Sequence, residues 1–164
     1  MRGETNMNPE WLASGFEGNG RVIARLTADL THADSLLVPD FGGNCLNWVL
    51  GHLLVSRNRV LSLLGEPPIL PPEQAARYET GSPPITAADD PDVLPLEHLL
   101  DGVARSGQTI GAALRRTSAA ELEAPHAETP PGRMLLGLYW HEAYHIGQMA
   151  LFRRLAGHTE KVFG

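Results

Sequence analysis

Seven of the thirteen prolines in this chain fall between Glu66 and Pro91, in the run PPILPPEQAARYETGSPPITAADDP. Proline fixes φ and lacks an amide donor, so a helix cannot run through this segment, which reads as an extended connection or lid. Everything to either side of it has helical rather than alternating periodicity. The chain is thereby constrained to two helical halves joined by one long crossover.

In the first half, Asn8 and Pro9 suit an N-cap and a first helical position, and Val22, Ile23, Leu26, Leu30 and Ala33 recur at steps of three and four. A first helix is expected from about Pro9 to Leu30, with Gly15, Gly18 and Gly20 weakening its front half. Asn44 is read as the cap of a second helix with Cys45, Val49, His52, Leu53, Ser56, Val60 and Leu63 on one face, stopping at Gly65. Beyond the prolines, Leu96, Leu99, Val103, Ile110 and Leu114 mark a third helix. A fourth starts near Pro131 and Gly132, carries Met134, Leu138, His141, His145, Met149 and Phe152, and ends at Gly157. No segment alternates as a strand does. Four amphipathic helices of about 20 residues have one common packing solution. The expected fold is all-α, a single four-helix bundle over residues 1–164, up-down-down-up, with the proline-rich crossover between helices 2 and 3. A faint echo between THADSLLVP (Thr31 to Pro39) and TSAAELEAP (Thr117 to Pro125) is compatible with two related helical hairpins.

Composition excludes several functions. With 164 residues, 43% of them hydrophobic, the chain can bury one core. A single cysteine rules out an internal disulfide and a four-cysteine zinc ribbon. A formal charge of −6 lacks the basic footprint of a nucleic-acid binder. No stretch reaches the roughly 20 apolar residues of a membrane span, and Met1 to Glu10 is polar, so a cytoplasmic location without membrane contact is expected.

The chemistry concentrates in YWHEAYHIGQM, Tyr139 to Met149. His141 and His145 lie four positions apart on a helix, so both rings leave one face at a spacing suited to two imidazoles on one metal. His52 repeats the situation on the second helix, between Val49, Leu53 and Ser56. Three imidazoles directed into an apolar interior need polar partners, because an unpaired buried polar group costs about 1–3 kcal/mol. One divalent cation would satisfy all three, although a lone core histidine is more often simply hydrogen-bonded. HEAYH also matches HExxH, in which the glutamate is a general base beside a zinc-bound water. Glu142 points about 100° away from His141, toward a neighbouring helix or solvent, and few residues follow that could complete a peptidase site. Gln148, one turn after His145, is placed to hydrogen-bond a ligand or a bound water. Trp48, Tyr144 and Trp140 are candidate pocket walls, Glu142 is a further candidate beside the pocket, and Cys45 is a small core residue. His32, His98, His126 and His158 receive no role.

NWVLGHLL around His52, followed far downstream by HEAYHIGQ, resembles the DinB superfamily, which includes YfiT-like proteins and bacterial low-molecular-weight thiol transferases. The resemblance implies a four-helix bundle whose metal is held by one residue of the second helix and two of the fourth, here His52, His141 and His145. It implies a divalent metal, zinc or nickel foremost, in an open site, and a small-molecule substrate. The reaction it favours is transfer of a metal-activated thiol such as bacillithiol to a small electrophile. From the residues alone, hydrolysis of a small amide or ester and a non-catalytic metal- or ligand-binding bundle stay open. Relatives also suggest a homodimer, joined through an exposed face of helix 1 or 3.

Overall fold

The computed structural model describes residues 7–85, 90–126 and 128–162; residues 1–6 of the polar N-terminus and 86–89 of the proline-rich connection lie outside it. Every regular element among the described residues is a helix, with no strand, which makes the fold all-α. Four long helices carry the fold: α1 (Pro9–Thr27), α3 (Leu46–Leu63), α5 (Leu96–Arg116) and α7 (Pro131–Leu155). Short helices lie between them: α2 (His32–Ser35), α4 (Pro72–Ala75) with the 3₁₀ turn Ala76–Tyr78, and α6 (Ala119–Glu123). Helices α1 and α3 each pack against both α5 and α7. None of these helices is long and apolar enough to cross a membrane.

Local chemistry accounts for the helix ends. The Asn8 carboxamide accepts from the amides of Glu10 (2.9 Å) and Trp11, as an N-cap should, and Pro9 occupies the first position. The three glycines leave α1 unbroken to Thr27, three residues short of expectation. At α3 the cap position belongs to Cys45 rather than Asn44, and no side chain caps it: Cys45 is wholly buried as the first core residue, which leaves Asn44 outside the helix. Pro95 likewise gives α5 no side-chain cap, and His32 takes part of that task, its Nδ1 accepting from the Leu96 amide at 3.2 Å. The echoed segments both form capping boxes, Thr31 with Asp34 and Ser118 with Glu121, one residue out of the register that pairs Thr31 with Thr117.

The core falls into two apolar clusters. One gathers Ile23, Leu26, Leu50, Leu53, Leu99 and Met149; the other gathers Leu12, Phe16, Leu61, Ile110, Leu114 and Leu135. Arg57, Ser106 and Glu142 lie between them along α3, α5 and α7.

The proline-rich segment, expected as an extended connection or lid without helix, contains two short helical turns. Pro72 starts one helical turn, as a proline at the first position can, and the 3₁₀ turn follows. The segment straps the outer face of α3. Asn58 accepts from the amides of Ile69 (2.7 Å) and Leu70 and donates to the Leu70 carbonyl (2.8 Å). Tyr78 is fully buried; its hydroxyl donates to Asn47 (3.2 Å) and accepts from the Leu94 amide (2.8 Å), and burial pushes its pKa up to about 12. With α5, α7 and this strap around it, α3 is buried on nearly every side, which the single apolar face read from the sequence understates.

Gly51 is the contact point of the strap: a Cβ there would collide with the Tyr78 ring. Gly51→Ala is therefore expected to cost about 1–3 kcal/mol, as overpacking does. Gly137→Ala, in the interior of α7 with nothing within 4 Å, should gain about 0.5–1 kcal/mol. Thermal melts of the two variants check both; opposite shifts in Tm are the expected result.

Candidate metal centre

Helices α3 and α7 bring His52, His141 and His145 together, with ligand-capable nitrogens all within 4.8 Å of one another. The three Nε2 atoms converge: His141 Nε2 lies 3.2 Å from that of His52 and 3.1 Å from that of His145. His52 is 6% exposed, and the other two rings are half-buried.

Each ring is tied from behind by an oxygen. Nδ1 of His52 lies 2.9 Å from the Tyr78 carbonyl, Nδ1 of His145 lies 2.8 Å from Oε1 of Gln148, and Nδ1 of His141 lies 3.3 Å from the Ser56 hydroxyl. A backbone carbonyl and an amide oxygen can only accept, so His52 and His145 carry their protons on Nδ1 and present bare lone pairs at Nε2. A proton on His141 Nε2 could satisfy only one of them. The arrangement fits a cation. A tetrahedral ion with metal–nitrogen bonds of about 2.0–2.1 Å separates its ligands by roughly 3.3 Å, close to the spacing found.

The electrostatics agree. Burial holds the His141 pKa down at about 4, helped by His145, His52 and Arg59. Burial also lowers His145, against the opposing hydrogen bond from Gln148. Both rings stay neutral at pH 7, the state in which imidazole binds metal. Trp48 stacks flat on His52, ring centres 4.7 Å apart and 11° from parallel, and its indole N–H donates to Ser82 of the strap at 2.8 Å.

Other expectations need adjusting. Tyr144 is exposed but meets the site: its ring stands edge-on to His145, and its hydroxyl accepts from Gln148 Nε2 at 3.3 Å. Trp140 faces solvent and walls nothing. Met134 is 36% exposed; the buried face of α7 is Leu135, Glu142, Ile146 and Met149, so the histidines sit at its edge rather than its centre. Cys45 is a buried free thiol whose pKa is raised by burial.

Glu142 turns to a neighbouring helix, as its offset of about 100° from His141 implies, and this corrects its placement beside the pocket. Its carboxylate, 1% exposed, is held bidentately by the fully buried Arg57, Nε to Oε2 at 2.9 Å and Nη2 to Oε1 at 2.6 Å, and so is occupied away from the imidazoles. Arg57 Nη1 also donates to the Val103 carbonyl (2.5 Å) and to Ser106 (3.0 Å), joining α3, α5 and α7 in one polar layer. Arg57 and Tyr78 were not identified from the sequence. The signal for Arg57 is the first of two arginines inside the otherwise apolar stretch NWVLGHLLVSRNRVL, with Glu142 as the one carboxylate of the facing motif; no sequence pattern marks Tyr78.

Residues 16–149 match the family model of the DinB superfamily. No curated protein and no solved structure matches the chain.

Breaking the buried pair strands a charge, so Glu142→Ala should cost about 3–5 kcal/mol, with Arg57→Met/Glu142→Leu recovering most of it; thermal melts measure both. A loss below about 1 kcal/mol would refute this account. A second expectation concerns pH. His141 is harder to protonate in the folded chain than unfolded, so the unfolded state binds more protons as acid is added. The stability due to its neutral form is complete above about pH 6.5 and is lost as pH falls toward about 4. Melts of chelator-treated protein across that window should show this decline, and His141→Gln should flatten it.

Proposed function

The chain belongs to the DinB superfamily, and on that premise we propose that it is a divalent-metal-dependent enzyme that transfers a low-molecular-weight thiol, bacillithiol or one like it, to small electrophiles. His52, His141 and His145 hold the ion. The observation that carries the reading is the convergence of three Nε2 atoms whose rings are each tied from behind by an oxygen. Three neutral imidazoles contribute no negative charge, and they suit zinc or nickel. When bound, such an ion supplies Lewis acidity, lowering the pKa of a thiol or water brought to it.

The remaining work falls to side chains and backbone. The Tyr78 carbonyl and Gln148 fix the tautomers of His52 and His145, and Trp48 keeps the His52 ring from turning. Among the described residues, no carboxylate stands free at the centre to act as a general base, since Glu142 is engaged by Arg57. That favours the thiol reaction, whose nucleophile loses its proton on binding, over hydrolysis, which gains from a positioned base.

The same reading takes residues 1–164 as one up-down-down-up four-helix bundle. Pairwise contacts support it. Residues 10 and 17 of α1 meet Arg115 near the end of α5, and residues 52 and 57 of α3 meet residues 141 and 142 of α7 while His141 and Ser56 also touch. Leu54 meets Gly102 and Arg57 meets Ser106, as for α3 and α5 running together; Phe16 meets Tyr139 and Leu26 meets Arg153, as for α1 and α7.

Elemental analysis of purified protein should find about one divalent metal per chain, and His52→Ala, shown by circular dichroism to be folded, should lose it. Conjugation of 1-chloro-2,4-dinitrobenzene with bacillithiol, mycothiol and glutathione, measured side by side, should proceed with at least one thiol and stop on chelation. Retention of metal by His52→Ala would overturn the ligand set. Metal without any thiol-dependent rate would overturn the transferase.

A further inference from the structure

Beside His145, on the side of the triad toward the C-terminal end of α7, lies a cavity of about 230 Å³. Its walls are aromatic: Trp48 from α3, Tyr144 and Phe152 from α7, and Phe41 from the turn before α3. In that turn Gly42 and Gly43 have φ of 82° and 103°, which side chains rarely adopt, and the Phe41 ring stands 85% exposed at the mouth. Among the described residues, no Asp, Glu, Lys or Arg lines this cavity. Its polar side chains are Asn44, His145 and Gln148, and Gln148 already has a partner for each end of its carboxamide, His145 and Tyr144.

We propose that this cavity is the pocket for a small, uncharged, flat unsaturated molecule, the electrophile of the transfer; the inference deepens the reading above and rests on it. The volume lies below the roughly 300–1,000 Å³ of sites for drug-sized ligands, leaving room for one substituted ring. Aromatic walls favour a ligand with a π face of its own. A charged ligand would lose its hydration and find no counter-charge. A second cavity of about 680 Å³, one helical turn from His141 on the opposite side of the triad, is lined mainly by apolar side chains such as Val55, Leu63, Met134 and Leu138, with Arg59 and Glu79 paired to each other at 3.2 Å. His145 itself lines the first cavity and none of the three histidines lines the second, so the neutral reactant belongs on the His145 side.

The test is a ¹⁹F NMR titration with 4-fluorotoluene, using the full chain as purified and after metal removal by chelation. Saturable binding is expected in both forms, because the walls rather than the triad hold the ring. Leu151→Asp puts a carboxylate at the cavity rim from a position that is 58% exposed, where folding tolerates it. It should weaken binding at least about tenfold, while Arg59→Ala leaves binding unchanged. In the chelated protein, 4-fluorobenzoate should bind at least about tenfold more weakly than 4-fluorotoluene. Equal binding of the two probes, or wild-type binding by Leu151→Asp, overturns the proposal. A chain that takes up metal but not 4-fluorotoluene refutes the pocket and leaves the metal reading standing; one that binds 4-fluorotoluene but no metal does the reverse.

Discussion

The Arg57–Glu142 pair is the contact to which the rest of the structure is registered. It lies where the apolar core divides, with one cluster toward each end of the helices, and it ties α3, α5 and α7 at a single level. Apolar side chains are tolerant of sliding, because any hydrophobic surface of about the right size will pack. A bidentate guanidinium–carboxylate contact out of water has no such latitude: one turn of slippage strands two charges. With Arg57 opposite Glu142, the neighbouring positions follow, Ser56 facing His141 and His52 facing both histidines of α7. The pair adds little net stability over a matched apolar pair; what it supplies is one permitted alignment.

A consequence is that the glutamate of HEAYH and its histidines do separate work. The histidines sit at the edge of the buried face and reach toward each other, while the glutamate, one position on, turns into the interior. A helix gives adjacent residues directions about 100° apart, so one short motif serves a metal centre and a core contact at once.

Much of this was legible in the sequence because helical periodicity is a strong signal. The positions of the four long helices, Asn8 as a cap, and the shared face of His141 and His145 all follow from steps of three and four. The clustering of His52 with that pair is a long-range contact, which the residues suggested only through three polar rings on apolar faces. What stayed hidden depends on chain segments without periodicity. Tyr78 reaches His52 through its backbone carbonyl, which any residue possesses, and its ring fits only because Gly51 lacks a side chain. The displaced buried face of α7 was hidden for a related reason: Met134 looks like core by composition and Leu138 reaches the core only in part, because the ion pair sets the rotation of the helix.

The strap across α3 also carries an implication for energy flow through the molecule. Because the carbonyl that orients His52 belongs to the connection between the two halves, the order of that connection and the order of the imidazole are two readings of one equilibrium. Whatever steadies the ring favours the docked strap, and whatever frays the strap loosens the ring by the same free energy. A segment that composition presents as a passive joint is therefore a thermodynamic partner of the site, and changes in its length or stiffness act as tuning of the centre it covers.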